Sequence, residues 1–96
     1  MKPQRALPIG DLIRQYLRDE GLETPLNELR LMTLWPEVMG RGIAAYTGNM
    51  YVRQRVLYVE IRSAALRANL MMGRKALVER LNNAVGARVI EQLVLH

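Results

Sequence analysis

Apolar positions follow two different periods along this chain, and the switch between them divides it. Ile9, Leu12, Ile13, Tyr16 and Leu17 recur at the spacing of one helical face. Asp11 suits the positive end of that helix, and Gly21 supplies a left-handed residue to stop it. Thr24-Pro25 is a start signal, a hydroxyl cap followed by proline at the first helical position. A second helix then carries Leu31, Leu34, Trp35 and Val38 on one stripe. Pro36 lacks an amide hydrogen and is expected to kink or restart it, and Gly40 to end it. Residues 1–8, with two prolines and few apolar side chains, form an expected loose lead-in.

From Tyr46 the period changes to two. Met50 and Val52 alternate with Asn49, Tyr51 and Arg53, and Leu57, Val59 and Ile61 alternate with Tyr58, Glu60 and Arg62. Directly opposed residues of an antiparallel pair share a face. The inward set is even-numbered before the turn and odd-numbered after it, so paired numbers must sum to an odd value. A connection centred between Gln54 and Arg55 meets that condition, pairing Val52 with Leu57, Met50 with Val59, and Tyr51 with Tyr58 on the other face. Gln-Arg is poor chemistry for a primed two-residue turn, so a four-residue loop, 53–56, is expected.

Ser63 then caps a long helix whose inward stripe is Leu66, Leu70, Leu77 and Leu81. Gly73 lies on the same line, where a neighbouring backbone could approach. Gly86 closes the helix, and Val89 to Leu95 form a last strand. The predicted fold is α+β in the order α-α-β-β-α-β, with helices packed on one face of a three-stranded sheet. Residues 9–96 make a single domain, which is what 96 residues with 50% hydrophobic content can support.

Charge adds a direction to this picture. Residues 1–45 carry six basic and six acidic groups, whereas residues 46–96 carry eight basic against three acidic. The whole net charge of +5 therefore lies in the second half, and twelve of the fourteen basic residues are arginine, whose planar fork suits phosphate and carboxylate. With no cysteine, disulfides and thiolate metal sites are excluded. The N-terminus lacks the apolar stretch of a signal peptide, and no apolar run approaches the roughly 20 residues that span a bilayer. A soluble, cytoplasmic protein with no membrane partner is expected.

Catalytic chemistry has little to stand on. The single histidine is the final residue, His96, and the adjacent Asp19 and Glu20 point to different sides of a helix. No phosphate-binding loop, dinucleotide fingerprint or zinc spacing occurs. Neither catalytic nor metal-binding residues are assigned, and no enzyme activity, cofactor or small-molecule substrate is expected.

Four features carry two readings each. Trp35-Pro36-Glu37-Val38 is either a recognition surface or, for a tryptophan on an apolar stripe, a core anchor. Tyr51 and Tyr58 are either stacking platforms for bases or an ordinary cross-strand pair. Met71-Met72 is either an adaptable contact surface or core filling. Arg53, Arg55, Arg62, Arg67, Arg74 and Lys75 either follow a phosphate backbone or form a solvated face. With Tyr51 and Tyr58, these six are the candidate nucleic-acid contacts, and Arg67 and Arg74 are expected to be exposed on the helix side opposite the leucines.

Trp35-Pro36-Glu37-Val38-x-Gly40, Tyr46-Thr47, Leu57-Tyr58-Val59, Ser63-x-x-Leu66 with Leu70, then Leu77, Leu81-Asn82 and Gly86 occur in the order and spacing of the DciA family. The chain resembles that bacterial family from about Ile9 to its C-terminus. The resemblance implies a KH-like fold, DNA binding, and a part in loading or operating the replicative helicase. Two departures qualify it. KH domains clamp nucleic-acid backbone with a Gly-x-x-Gly loop, and no two of the seven glycines here are three apart, so side chains must make the contacts. Longer family members carry a flexible extension associated with helicase contact, whereas this chain ends at His96 directly after the expected last strand. DNA binding therefore transfers more directly than helicase loading. The expected function is sequence-tolerant DNA binding in support of replication. The alternative is a protein–protein adaptor whose basic face meets an acidic partner.

Overall fold

A computed structural model describes residues 9–19 and 23–96. The elements are α1 (Ile9–Asp19), α2 (Glu23–Met39), a single-turn α3 (Arg41–Ala44), β1 (Thr47–Arg53), β2 (Val56–Ile61), α4 (Ala64–Met72), α5 (Arg74–Val85) and β3 (Gln92–Leu95). With α3 closing off α2, and α4 and α5 as two halves of the expected long helix, the order is the predicted α-α-β-β-α-β. The sheet runs β1-β2-β3, antiparallel between the first two strands and parallel between β2 and β3.

The hairpin has the register that parity demands. Met50 pairs with Val59, Tyr51 with Tyr58 and Val52 with Leu57. Its turn differs from the expected four-residue loop: Arg53 pairs with Val56, and Gln54 and Arg55 alone make the connection. Both have left-handed backbone, with φ of 51° and 65°, as a primed turn requires. The parity condition holds for either loop length. The shorter one continues the strand twist, and Arg55 is secured by its side chain, which ion-pairs with Glu91 at 3.2 Å and donates to the Arg88 carbonyl at 2.9 Å.

The core lies between the sheet and the helices. Leu57, Val59 and Ile61 of β2 and Leu93 and Leu95 of β3 face Leu31 and Trp35 of α2 and Leu77, Val78, Leu81 and Val85 of α5. Trp35 is completely buried, so it is a core anchor. Its Nε1 donates to Thr47 Oγ1 at 2.9 Å, and that hydroxyl donates to the Ile43 carbonyl at 2.9 Å, tying α2, α3 and β1 together.

Several local expectations change. Helix α2 is already formed at Glu23, one residue ahead of the expected Thr24 cap, with Pro25 in its first turn, where a missing N–H leaves no bond unmade. Pro36 does not interrupt α2: the Gly40 amide donates to its carbonyl at 2.8 Å, and Gly40 ends the helix with φ 91°. Ser63 caps α4 as predicted, its hydroxyl accepting from the Leu66 amide at 3.2 Å. Gly73 admits no neighbouring backbone, since nothing lies within 4 Å of where its Cβ would be. It breaks the long helix instead, ending α4 and opening α5. Leu77 and Leu81 are therefore buried, while Leu66 and Leu70 are only half-buried.

The last strand is shorter than expected, beginning at Gln92. Val89 and Ile90 are buried without pairing, because Asn82 of α5 takes up their amides. The apolar face of α1 exists, yet Ile9 is 76% exposed and Leu12 and Ile13 are half-exposed. That helix packs mainly against α2. The side chains of Tyr16 and Leu17, and the expected stop at Gly21, lie outside the described residues.

Candidate nucleic-acid interface

Among the described residues, the helices of the core pack on one face of the sheet, and period-two alternation places Tyr51, Arg53, Tyr58 and Glu60 on the other. At its centre the rings of Tyr51 and Tyr58 stack, with centroids 4.7 Å apart and planes inclined by 14°. Tyr51 is 48% exposed. Arg53, two residues along β1, stands on the same face toward the turn. Arg62, just past the end of β2, stands toward the other end. Gly48 makes room there: a Cβ at that position would collide with the Glu60 carboxylate and come within 3.3 Å of the Arg62 guanidinium. Glu60 itself accepts from the Asn49 amide at 3.1 Å, filling the irregularity in β1.

The remaining basic candidates fall elsewhere. Arg55, at the turn, leans toward the segment leading into β3 through Glu91 and the Arg88 carbonyl. Arg67 is half-buried, and its Nη1 donates to the Ile61 carbonyl at 2.6 Å, so it is tied into the end of β2 and is not the exposed residue expected. Arg74 is exposed, donating to the Met71 carbonyl at 3.2 Å, and stands with exposed Lys75 at the start of α5. These two line a groove of about 600 Å³ beside β3, with Met71, Val78, Glu79, Arg88 and Gln92 among its walls. Strand β2 lies between Arg55 and Arg62, which at roughly 3.3 Å per residue puts their backbones about 23 Å apart. The six basic side chains thus have different settings. Arg53 and Arg62 flank the tyrosines, Arg67 is bonded to the end of β2, and Arg74 and Lys75 face a groove at the sheet's edge.

Met71 and Met72 divide in the same way. Met71 packs against the core and borders the groove, while Met72 is 82% exposed. Arg88, Glu79 and Glu91 belong to the groove although their spacing in sequence gave no sign of it. Arg80 serves structure, its Nη2 capping the Val38 carbonyl at the end of α2 at 2.6 Å. Among the described residues, no three histidine, cysteine or acidic side chains gather into a metal site, and no helix is long and apolar enough to cross a membrane.

Comparison with known proteins gives two findings. The family model described as Dna[CI] antecedent, DciA, matches residues 8–95. A UPF0232 protein of Streptomyces coelicolor is 33% identical over 82 residues, which are 83% of this chain and 43% of that protein. The chain therefore spans less than half the length of this relative.

Proposed function

The chain belongs to the DciA family, and from that premise we propose that it is a non-catalytic, cytoplasmic DNA-binding domain that supports replication and takes part in loading the replicative helicase. Family membership supports a role in helicase loading in general. The DNA reading rests on one observation above all, the stacked Tyr51–Tyr58 pair on the sheet face opposite the core, between Arg53 and Arg62. Aromatic faces accept any base, and flanking guanidinium groups neutralise the phosphates on either side. Such a surface has nothing that reads base edges, so binding is tolerant of sequence.

A fluorescent oligonucleotide titrated across a salt series tests this. Each neutralised phosphate contributes a slope of about −0.7 to −0.9 in log affinity against log salt. Replacing Arg53 and Arg62 together with alanine is expected to flatten the slope by about one to two units. Tyr51→Ala should weaken single-strand binding by roughly tenfold, about 1.4 kcal/mol, at unchanged slope. An unaltered slope in the arginine variant would place the DNA elsewhere. The helicase partner is tested separately, by association of the purified chain with its own replicative helicase, with and without DNA.

A further inference from the structure

Strand β3 is an edge strand, and its pairing with β2 uses one side only. The His96 amide donates to the Val59 carbonyl at 3.0 Å, and the His96 carbonyl accepts from the Ile61 amide at 2.8 Å. Successive residues of a strand turn their amides to opposite sides. The N–H and C=O groups of Leu93 and Leu95 therefore point away from β2, along the free edge, while their side chains fill the core. Edge strands of this kind are templates for another chain unless they are blunted. This one carries no proline, and Gln92 to Leu95 contain no charge.

The edge opens on the groove of about 600 Å³, whose opposite wall is the α4–α5 junction with Met71, Arg74, Lys75 and Val78. Its charges are not equally available. Glu79 is paired with Arg88 at 3.4 Å and Glu91 with Arg55 at 3.2 Å. Arg74 and Lys75 make no ion pair among the described residues, and both are exposed. Among the described residues, the groove thus offers outward backbone groups at peptide spacing, apolar sockets at Met71 and Val78, and two cations without an ion pair.

We propose that the free edge of β3 takes up an extended acidic peptide as a fourth strand, its carboxylates meeting Arg74 and Lys75. A nucleic acid fits this groove less well. The DNA backbone has no donor for the Leu93 and Leu95 carbonyls, whereas a peptide supplies one at every second residue. Strand addition gives affinity through the main chain, and alternate side-chain pockets give selectivity. The groove meets the outer face assigned to DNA at Val94, the β3 neighbour of Tyr58, but the cations that test the two differ, so either assignment can fail alone.

The probe is a short labelled peptide alternating glutamate and valine, followed by fluorescence anisotropy against the whole chain. Arg74→Glu with Lys75→Glu should weaken it by about tenfold or more, and Arg53→Glu with Arg62→Glu should leave it unchanged. Two further peptides, N-methylated on alternate residues in opposite registers, separate strand addition from charge attraction. One should lose binding and the other keep it, a result that needs no protein variant to fold. Absence of binding by the parent peptide would overturn the proposal, and so would equal behaviour of the two methylated forms. Displacement of the peptide by an unlabelled oligonucleotide would give the groove to DNA and overturn it as well.

Discussion

Asn82 holds Ile90 from both sides: its Oδ1 accepts from the Ile90 amide at 3.1 Å while its Nδ2 donates to the Ile90 carbonyl at 2.9 Å. The same oxygen accepts from the Val89 amide at 2.9 Å. The chain between α5 and β3 has no ladder partner in this stretch, and its buried polar groups need one. One amide side chain, itself only 5% exposed, supplies three bonds and delivers β3 to the sheet.

Asn82→Ala leaves two buried amides and a carbonyl unpaired. The expected loss is about 3 kcal/mol, read as a lower denaturant midpoint at unchanged m-value. A variant within about 0.5 kcal/mol of the parent would mean that water replaces the side chain at this site.

Arg67 is the basic candidate most closely tied into the backbone of the sheet. Its guanidinium closes the Ile61 carbonyl at the end of β2. Arg67→Ala should lower stability by about 1.5 kcal/mol, in the range of hydrogen bonds from charged groups, and leave the salt slope of DNA binding unchanged. The opposite pattern, an unaltered midpoint with a flatter slope, would make Arg67 a phosphate contact.

The turn residue Gln54 has φ 51°, where asparagine is at ease and most side chains are strained. Gln54→Asn is therefore expected to raise stability by about 0.5 kcal/mol. Thermal unfolding at a lower temperature than the parent would count against the primed-turn geometry.

What the sequence disclosed follows from periodicity. The even-to-odd change of inward positions between Val52 and Leu57 determines the hairpin register, because a slip of one residue in β1 would turn Tyr51 into the core and Met50 and Val52 out of it. Ser63 and Gly86 are legible as caps, since their side-chain and backbone chemistry is local. The break at Gly73 is hidden because the leucines on either side keep helical spacing through it. The clamp of Asn82 leaves no periodic mark, being a single polar residue acting on a loop that follows its helix. Charge counts show where the net positive charge lies along the chain, but its distribution over the surface depends on which strand edge each element meets, and spacing does not encode that.

The parallel joining of β2 to β3 sets how the molecule comes together in time. Val56 and Gln92 are neighbours across a connection that contains all of α4 and α5. The hairpin closes through adjacent residues, a microsecond event in isolated form, whereas this second pairing must first overcome the entropy of a long loop. Until it does, Leu57, Val59 and Ile61 have helices to cover them but no neighbour along one side. Assembly of the sheet is therefore expected to run outward from the turn, with the strand that borders the groove arriving last and leaving first.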